Sequence, residues 1–115
     1  RWRRFWSVPA IGILEVERTP NDRPRPATTL RLVRHGTSAE CAISIVPHNW
    51  GKGYALTLLR ETMLLACDWL KVDTLVALVL RHNYRSRRLF RRAGFQFVGA
   101  EERMGTQHAR YEWQG

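Results

Sequence analysis

The sequence has 115 residues, of which 44% are hydrophobic, 10% aromatic and 25% charged, a composition that excludes disordered and fibrous chains and suits one globular domain over residues 1–115. Seventeen arginines and two lysines, Lys52 and Lys71, outweigh ten acidic residues to give a net charge of +9, which favours a phosphate-bearing partner, either nucleic acid or a nucleotide. No run approaches the roughly 18 consecutive apolar residues of a spanning helix, and Arg1-Trp2-Arg3-Arg4 lacks the apolar stretch of a secretory leader, so a soluble, cytoplasmic protein without a membrane partner is expected.

Ala10 to Glu17 (A-I-G-I-L-E-V-E), bounded by Pro9 and by Thr19-Pro20-Asn21-Asp22, predicts a first strand. Asn21 to Pro26, with three charged residues and two prolines, predicts an exposed loop. Thr28 to Arg34 and Glu40 to Val46, separated by His35-Gly36-Thr37-Ser38, predict a β-hairpin. From Gly53 onward, apolar residues at Leu56, Leu59, Met63, Cys67 and Leu70 recur at three- and four-residue spacing, which predicts a helix. Leu58, Leu65 and Trp69 widen its apolar sector, so cover on more than one side is expected. Thr74 to Leu80 (T-L-V-A-L-V-L) predicts a central strand buried on both faces.

Tyr84 to Arg92 predicts a second helix, carrying Arg85, Arg87, Arg88, Arg91 and Arg92 and closed by Gly94. Phe95 to Gly99 and Gln107 to Trp113 predict two closing strands. The order β-β-β-α-β-α-β-β is that of an α/β domain with a mixed, mostly antiparallel sheet flanked by helices, and only Arg1 to Pro9 precede its first strand. Cys41 and Cys67 form no C-x-x-C pair and the four histidines lack ligand spacing, so neither a disulfide framework nor a metal site is expected.

The segment Val46 to Ala55 (V-P-H-N-W-G-K-G-Y-A) places two glycines between the end of a strand and the start of the long helix. Backbone N–H groups freed there can converge on an anion, and the positive end of the helix dipole adds to their pull. The turn therefore suits a phosphate, the plain alternative being a tight turn that only starts a helix. Lys52 can add a point charge or face water.

This segment and the later stretch N-x-x-S-x-x-L-F-x-x-A-G-F (Asn83 to Phe95), about thirty residues on, together resemble the GNAT N-acetyltransferases, in particular those acting like ribosomal-protein N-terminal acetyltransferases. The likeness covers roughly Thr28 to Trp113. It implies that Trp50, Gly51, Lys52, Gly53, Tyr54 and Ala55 hold the pyrophosphate of acetyl-coenzyme A, with Trp50 where the family commonly has Arg or Gln. It implies that the pantetheine arm runs beside the end of the preceding strand, partnered by main-chain groups of Ile45 and Val46. Asn83 and Ser86 match cofactor-side positions, although an N-cap explains Asn83 equally. Arg81, Arg85 and Arg88 are expected near the 3′-phosphate, and Arg87, Arg91 and Arg92 on a solvated face.

Acetyl transfer to an amine needs a base for the amine, a polarised carbonyl and a proton for the departing thiolate. Glu40, alternating with Ala42 and Ser44, is the candidate base; a solvated edge carboxylate is the alternative, and a bulge would reverse its face. Many relatives place a proton-donating Tyr four residues after the helix Ser. Here that residue is Phe90, so either another group such as Tyr111 or Tyr84 serves, or solvent does, or the transfer runs slowly. The implied function is acetyl-coenzyme A-dependent acetylation of a primary amine on a small molecule or a protein N-terminus. Relatives carry a strand and one or two helices ahead of the hairpin, so the front of the chain is expected to be shortened. An acetyl-coenzyme A-binding module without transferase activity and a basic nucleic-acid-binding domain are the competing readings, and a homodimer is one assembly open to the chain.

Overall fold

The computed structural model describes residues 2–8, 12–19, 28–45 and 53–115. These form β1 (Trp2–Val8), β2 (Ile13–Thr19), β3 (Thr28–His35), β4 (Ser38–Ile45), α1 (Tyr54–Leu70), β5 (Thr74–Leu80), α2 (Tyr84–Arg92), β6 (Gln96–Arg103) and β7 (Thr106–Gln114). The strands make one sheet ordered β1-β2-β3-β4-β5-β7-β6. Among the described residues, β4 with β5 is the only parallel pairing.

The mixed, mostly antiparallel sheet is the one expected, with a correction at its front. Residues 1–9 do not simply precede the first strand: Trp2–Val8 is itself a strand, paired from Trp2 opposite Thr19 to Val8 opposite Ile13. A marginal strand needs no continuous apolar run, so its arginines conceal it. The next strand runs from Ile13 to Thr19, and Ala10 and Ile11 lie outside the described residues. Gly12 is taken by a turn, and its carbonyl accepts the Arg34 N–H at 2.7 Å.

Leu14, Leu30, Leu32, Ala39, Cys41, Leu75, Ala77, Val79, Ala109 and Tyr111 meet Leu58, Leu59, Met63, Ala66 and Leu70 of α1 and Phe90 of α2 in one core. Full burial of a side chain such as Leu58 or Leu70 contributes about 1.5–3 kcal/mol. Both helices thus lie on one face of the sheet. Because side chains alternate along a strand, Arg31, Val33, Glu40 and Leu78 belong to the other face, on which no described helix packs. The second covered side expected of α1 is met at Leu58 but not at Trp69, which is exposed. Leu75, Val76 and Ala77 are all buried, as a strand closed on both faces requires. No helix is long and apolar enough to cross a membrane.

Candidate active site

β4 and β5 pair over only four rungs: Ser38 with Thr74, Ala39 with Leu75, Glu40 with Val76 and Cys41 with Ala77. Both strands continue, β4 to Ile45 beside β3 and β5 to Leu80 beside β7. Their facing edges beyond Cys41 and Ala77 therefore bound a wedge that opens toward the carboxyl ends of the two parallel strands. Ligands bind at such ends in open α/β sheets. Unpaired strand edges can also receive an extended, amide-bearing chain as an added strand. Ile45 lies at the mouth of the wedge, in the stretch of β4 that β5 leaves unpaired. Val46, Trp50, Gly51 and Lys52 lie outside the described residues.

Each helix begins at this end of the sheet because each follows one of the parallel strands. α1 starts from Gly53, whose φ is 76° and whose added Cβ would meet no atom within 4 Å. The backbone conformation, rather than crowding, calls for glycine here. α1 has no side-chain cap and no acidic residue in its first turn. Among the described residues no side chain meets its leading N–H groups, and such a helix start, at the positive end of the dipole, attracts anions. Tyr54 is the first helical residue, and Ala55 is buried beside it.

α2 is closed differently, since Asn83 Oδ1 accepts the Ser86 N–H at 3.2 Å. Asn83 is therefore an N-cap, with its Nδ2 still able to donate. Ser86 is half-buried, while Arg81, Arg85 and Arg88 are exposed nearby, as are Arg91 and Arg92. Arg87 departs from its expected place on a solvated face. Its Nε donates to the Tyr111 hydroxyl at 3.0 Å, its Nη1 donates to the Arg81 carbonyl at 2.9 Å, and its guanidinium lies 5.8 Å from the ring centres of both Tyr84 and Phe97.

Glu40 and Tyr111 stand at the apex of the wedge on opposite faces. Glu40 sits one rung before the last pair and points to the helix-free face, because its neighbours Ala39 and Cys41 enter the core. Tyr111 is opposite Ala77, in line with the last rung; its ring is only 2% exposed and stands edge-on to Phe97 at 5.7 Å. Tyr84 is exposed, and Phe90 packs edge-on against Phe95 at 5.1 Å within the core. Cys41, in the last rung, has its thiol pushed far above the ordinary range by burial, with smaller contributions from Cys67 and Glu40. It therefore stays protonated and is no nucleophile at neutral pH.

Glu40 is not a free edge carboxylate. Arg103 Nη1 donates to both of its oxygens, at 2.7 and 2.8 Å, while Arg103 Nη2 reaches Glu101 at 3.2 Å. Arg110 in turn bonds Glu101 at 2.7 Å and Glu112 at 2.8 Å. The Arg110 hydrogen bond, ahead of the charges of Arg110 and Arg103, holds the Glu101 carboxyl below the usual carboxylate range. Sequence reasoning gave no place to Arg103. Its only trace there is the alternation of opposite charges in Glu101-x-Arg103 and Arg110-x-Glu112, which says nothing of a partner on β4.

The family profile for the acetyltransferase (GNAT) domain matches residues 4–96, most of the chain. The chain belongs to the GNAT acetyltransferase family. It is thereby a member of a family of transferases, and the wedge with its two helix ends is the candidate active site of this GNAT domain. No curated protein matches the sequence significantly. Among similar solved structures is a ribosomal-protein-S5-alanine acetyltransferase from Vibrio fischeri, with a TM-score of 0.80 at 12% identity, covering 90% of this chain and 62% of its own. An aminoglycoside acetyltransferase in complex with coenzyme A has a TM-score of 0.77 at 14% identity, covering 90% of this chain and 67% of its own. A spermidine N-acetyltransferase from Vibrio cholerae, in complex with CoA and spermine, has a TM-score of 0.72 at 21% identity, covering 90% and 66%. The GNAT chain thus spans roughly two thirds of the length of these proteins, and at such identities the likeness is one of fold.

Proposed function

We propose that this GNAT domain is a cytoplasmic, acetyl-coenzyme A-dependent N-acetyltransferase acting on a primary amine. The observation that carries the reading is the uncapped amino end of α1 at the mouth of the β4–β5 wedge. The residues present suit the cosubstrate: a helix start with no side-chain cap or acid among the described residues for a diphosphate, strand edges that part beyond Cys41 and Ala77 for an amide-bearing arm, and exposed guanidiniums for a further phosphate. In this reading Gly53 and Ala55 offer main-chain N–H groups to the diphosphate, with Tyr54 and the turn residues Trp50, Gly51 and Lys52 completing the cradle. Main-chain groups of Ile45 and Val46 take the arm, Asn83 Nδ2 and Ser86 flank it from α2, and Arg88 faces the remaining phosphate.

Acetyl-coenzyme A supplies a thioester, whose acyl carbon bonds to the acceptor nitrogen as its bond to sulfur breaks. Glu40 takes the amine proton, directly or through a water, on the face that no described helix covers; general-base help of this kind is worth about 10²–10⁴-fold in rate. The Tyr111 hydroxyl oxygen accepts from Arg87, which leaves its hydrogen to be given to the departing sulfur. Fold neighbours are named as acetyltransferases of spermidine, an aminoglycoside and a ribosomal-protein alanine, and an amine acceptor is taken from that likeness as part of this proposal.

Calorimetric titration with acetyl-coenzyme A tests the reading, followed by thiol release with a panel of spermidine, an aminoglycoside and a peptide with a free N-terminus. Saturable heat that Gly53→Trp removes, together with amine-dependent thiol release, is expected. No heat with the unaltered chain overturns the proposal, and heat without thiol release from any amine reduces it to cosubstrate binding.

A further inference from the structure

β6 and β7 form a hairpin whose last pair is Arg103 with Thr106, and between them Met104 and Gly105 have φ of 52° and 80°. Two successive left-handed residues mark a tight type I′ turn, and Met104 at its tip is 98% exposed. The support of β7 by β5 ends at the Leu80–His108 pair, so the turn projects past the sheet. Arg103 nevertheless binds Glu40 on β4, although β7 and β5 stand between β6 and β4. Three interstrand spacings are about 14 Å, so the hairpin must lean over the helix-free face. The register shift between Phe97 and Gly99 supplies the bend, because a bulge adds local twist.

The resulting network holds three carboxylates, Glu40, Glu101 and Glu112, and two guanidiniums, Arg103 and Arg110. Arg110 is committed to Glu101 and Glu112, while Arg103 spans Glu101 and Glu40. Both partners of the Arg103–Glu40 pair remain in reach of water, their side chains 44% and 29% exposed. Such a pair is weak and exchangeable. Moving the guanidinium aside strips Glu40 of that cation. A protonated amine, the ordinary state of an alkylamine at neutral pH, replaces the lost charge, whereas an uncharged group does not.

We propose that Arg103 determines acceptor specificity: it occupies the cation position at Glu40, so that only an acceptor arriving as a cation displaces it and opens the hairpin tip. The inference rests on the reading of Glu40 as the base that meets the acceptor. Specificity arises here from a contact that the wrong partner cannot replace.

The chain has two methionines, Met104 at the tip and Met63 in the core, so methyl-13C labelling gives a reporter and an internal control. Adding spermidine should lengthen the transverse relaxation of the Met104 methyl as the tip is released, while 1,8-octanediol, of similar length but uncharged, should not. Arg103→Ala should show the released Met104 signal without spermidine, with Met63 unchanged to confirm the fold, and Arg103→Lys should restore the response. In thiol release, Arg103→Ala should narrow the preference for spermidine over 4-methoxyaniline, an amine uncharged at neutral pH, by about tenfold. Equal responses to spermidine and octanediol, an unaltered Met104 methyl in Arg103→Ala, or an unchanged preference overturns the proposal. The Glu40 reading fails separately, through an undiminished kcat in Glu40→Gln, and the methyl signals report on the tip whichever way that measurement falls.

Discussion

Cys41 and Tyr111 flank Ala77 in the rung where the wedge begins, and both are packed out of reach of water. Cys67, on α1 and half-buried, has its thiol raised above the ordinary value chiefly by burial and secondly by Asp73. The thiolate is the reacting species, so exposure decides between two thiols that are both held protonated. A thiol reagent applied to the native protein should label Cys67 first and Cys41 only on unfolding, as peptide mass spectrometry would read. Equal labelling would mean that the apex is open to solvent. Tyr111 carries a sharper test, since Tyr111→Phe keeps the ring and its packing while removing the acceptor for Arg87 Nε. Loss of that hydrogen bond should lower stability by about 1 kcal/mol in urea unfolding. If the hydroxyl also protonates the leaving sulfur, kcat falls while KM for the amine holds; an unchanged kcat returns that proton to solvent.

At the level of the element, α2 and β5 have the bounds that the sequence predicts, and the reason is local. Thr74–Leu80 is an apolar run with a single structural solution, and Asn83 and Gly94 punctuate the arginine-rich helix on either side. Asn83 is worth testing as a cap in its own right: Asn83→Ala should cost about 1 kcal/mol in chemical denaturation, and Asn83→Asp should restore it. If Nδ2 also meets the cosubstrate, Asn83→Asp recovers stability but not affinity, which separates the two roles. β1 was illegible for the opposite reason. A strand held by one neighbour through main-chain pairing leaves little pattern, and two arginines and a serine among its seven residues read as a basic leader. The reach of Arg103 to Glu40 was equally hidden, because it depends on a bulge and on the lean of a hairpin rather than on any spacing along the chain.

For the molecule as a whole, the order of elements from β2 onward was legible, and the wedge was not. Hydrophobic runs say which strands are central, yet where two parallel neighbours part is set by register, which only the assembled sheet fixes. The wedge divides the sheet into β1 to β4 on one side and β5, β7 and β6 on the other. Among the described residues the halves are joined by four rungs, by the Arg103–Glu40 pair and by α1, which packs on β2, β3, β4 and β5. A ligand that lines both free edges is a further bridge made only in the folded state, and such binding stabilises by mass action. At a hundredfold excess over its Kd, acetyl-coenzyme A should add about 2.7 kcal/mol. For a chain of this size that corresponds to a rise in Tm of roughly 5–20 °C. Scanning calorimetry should record the rise for the unaltered chain and none for Gly53→Trp. A shift retained by Gly53→Trp would place the cosubstrate elsewhere than on the amino end of α1, and the division of labour between that helix and the wedge would have to be redrawn.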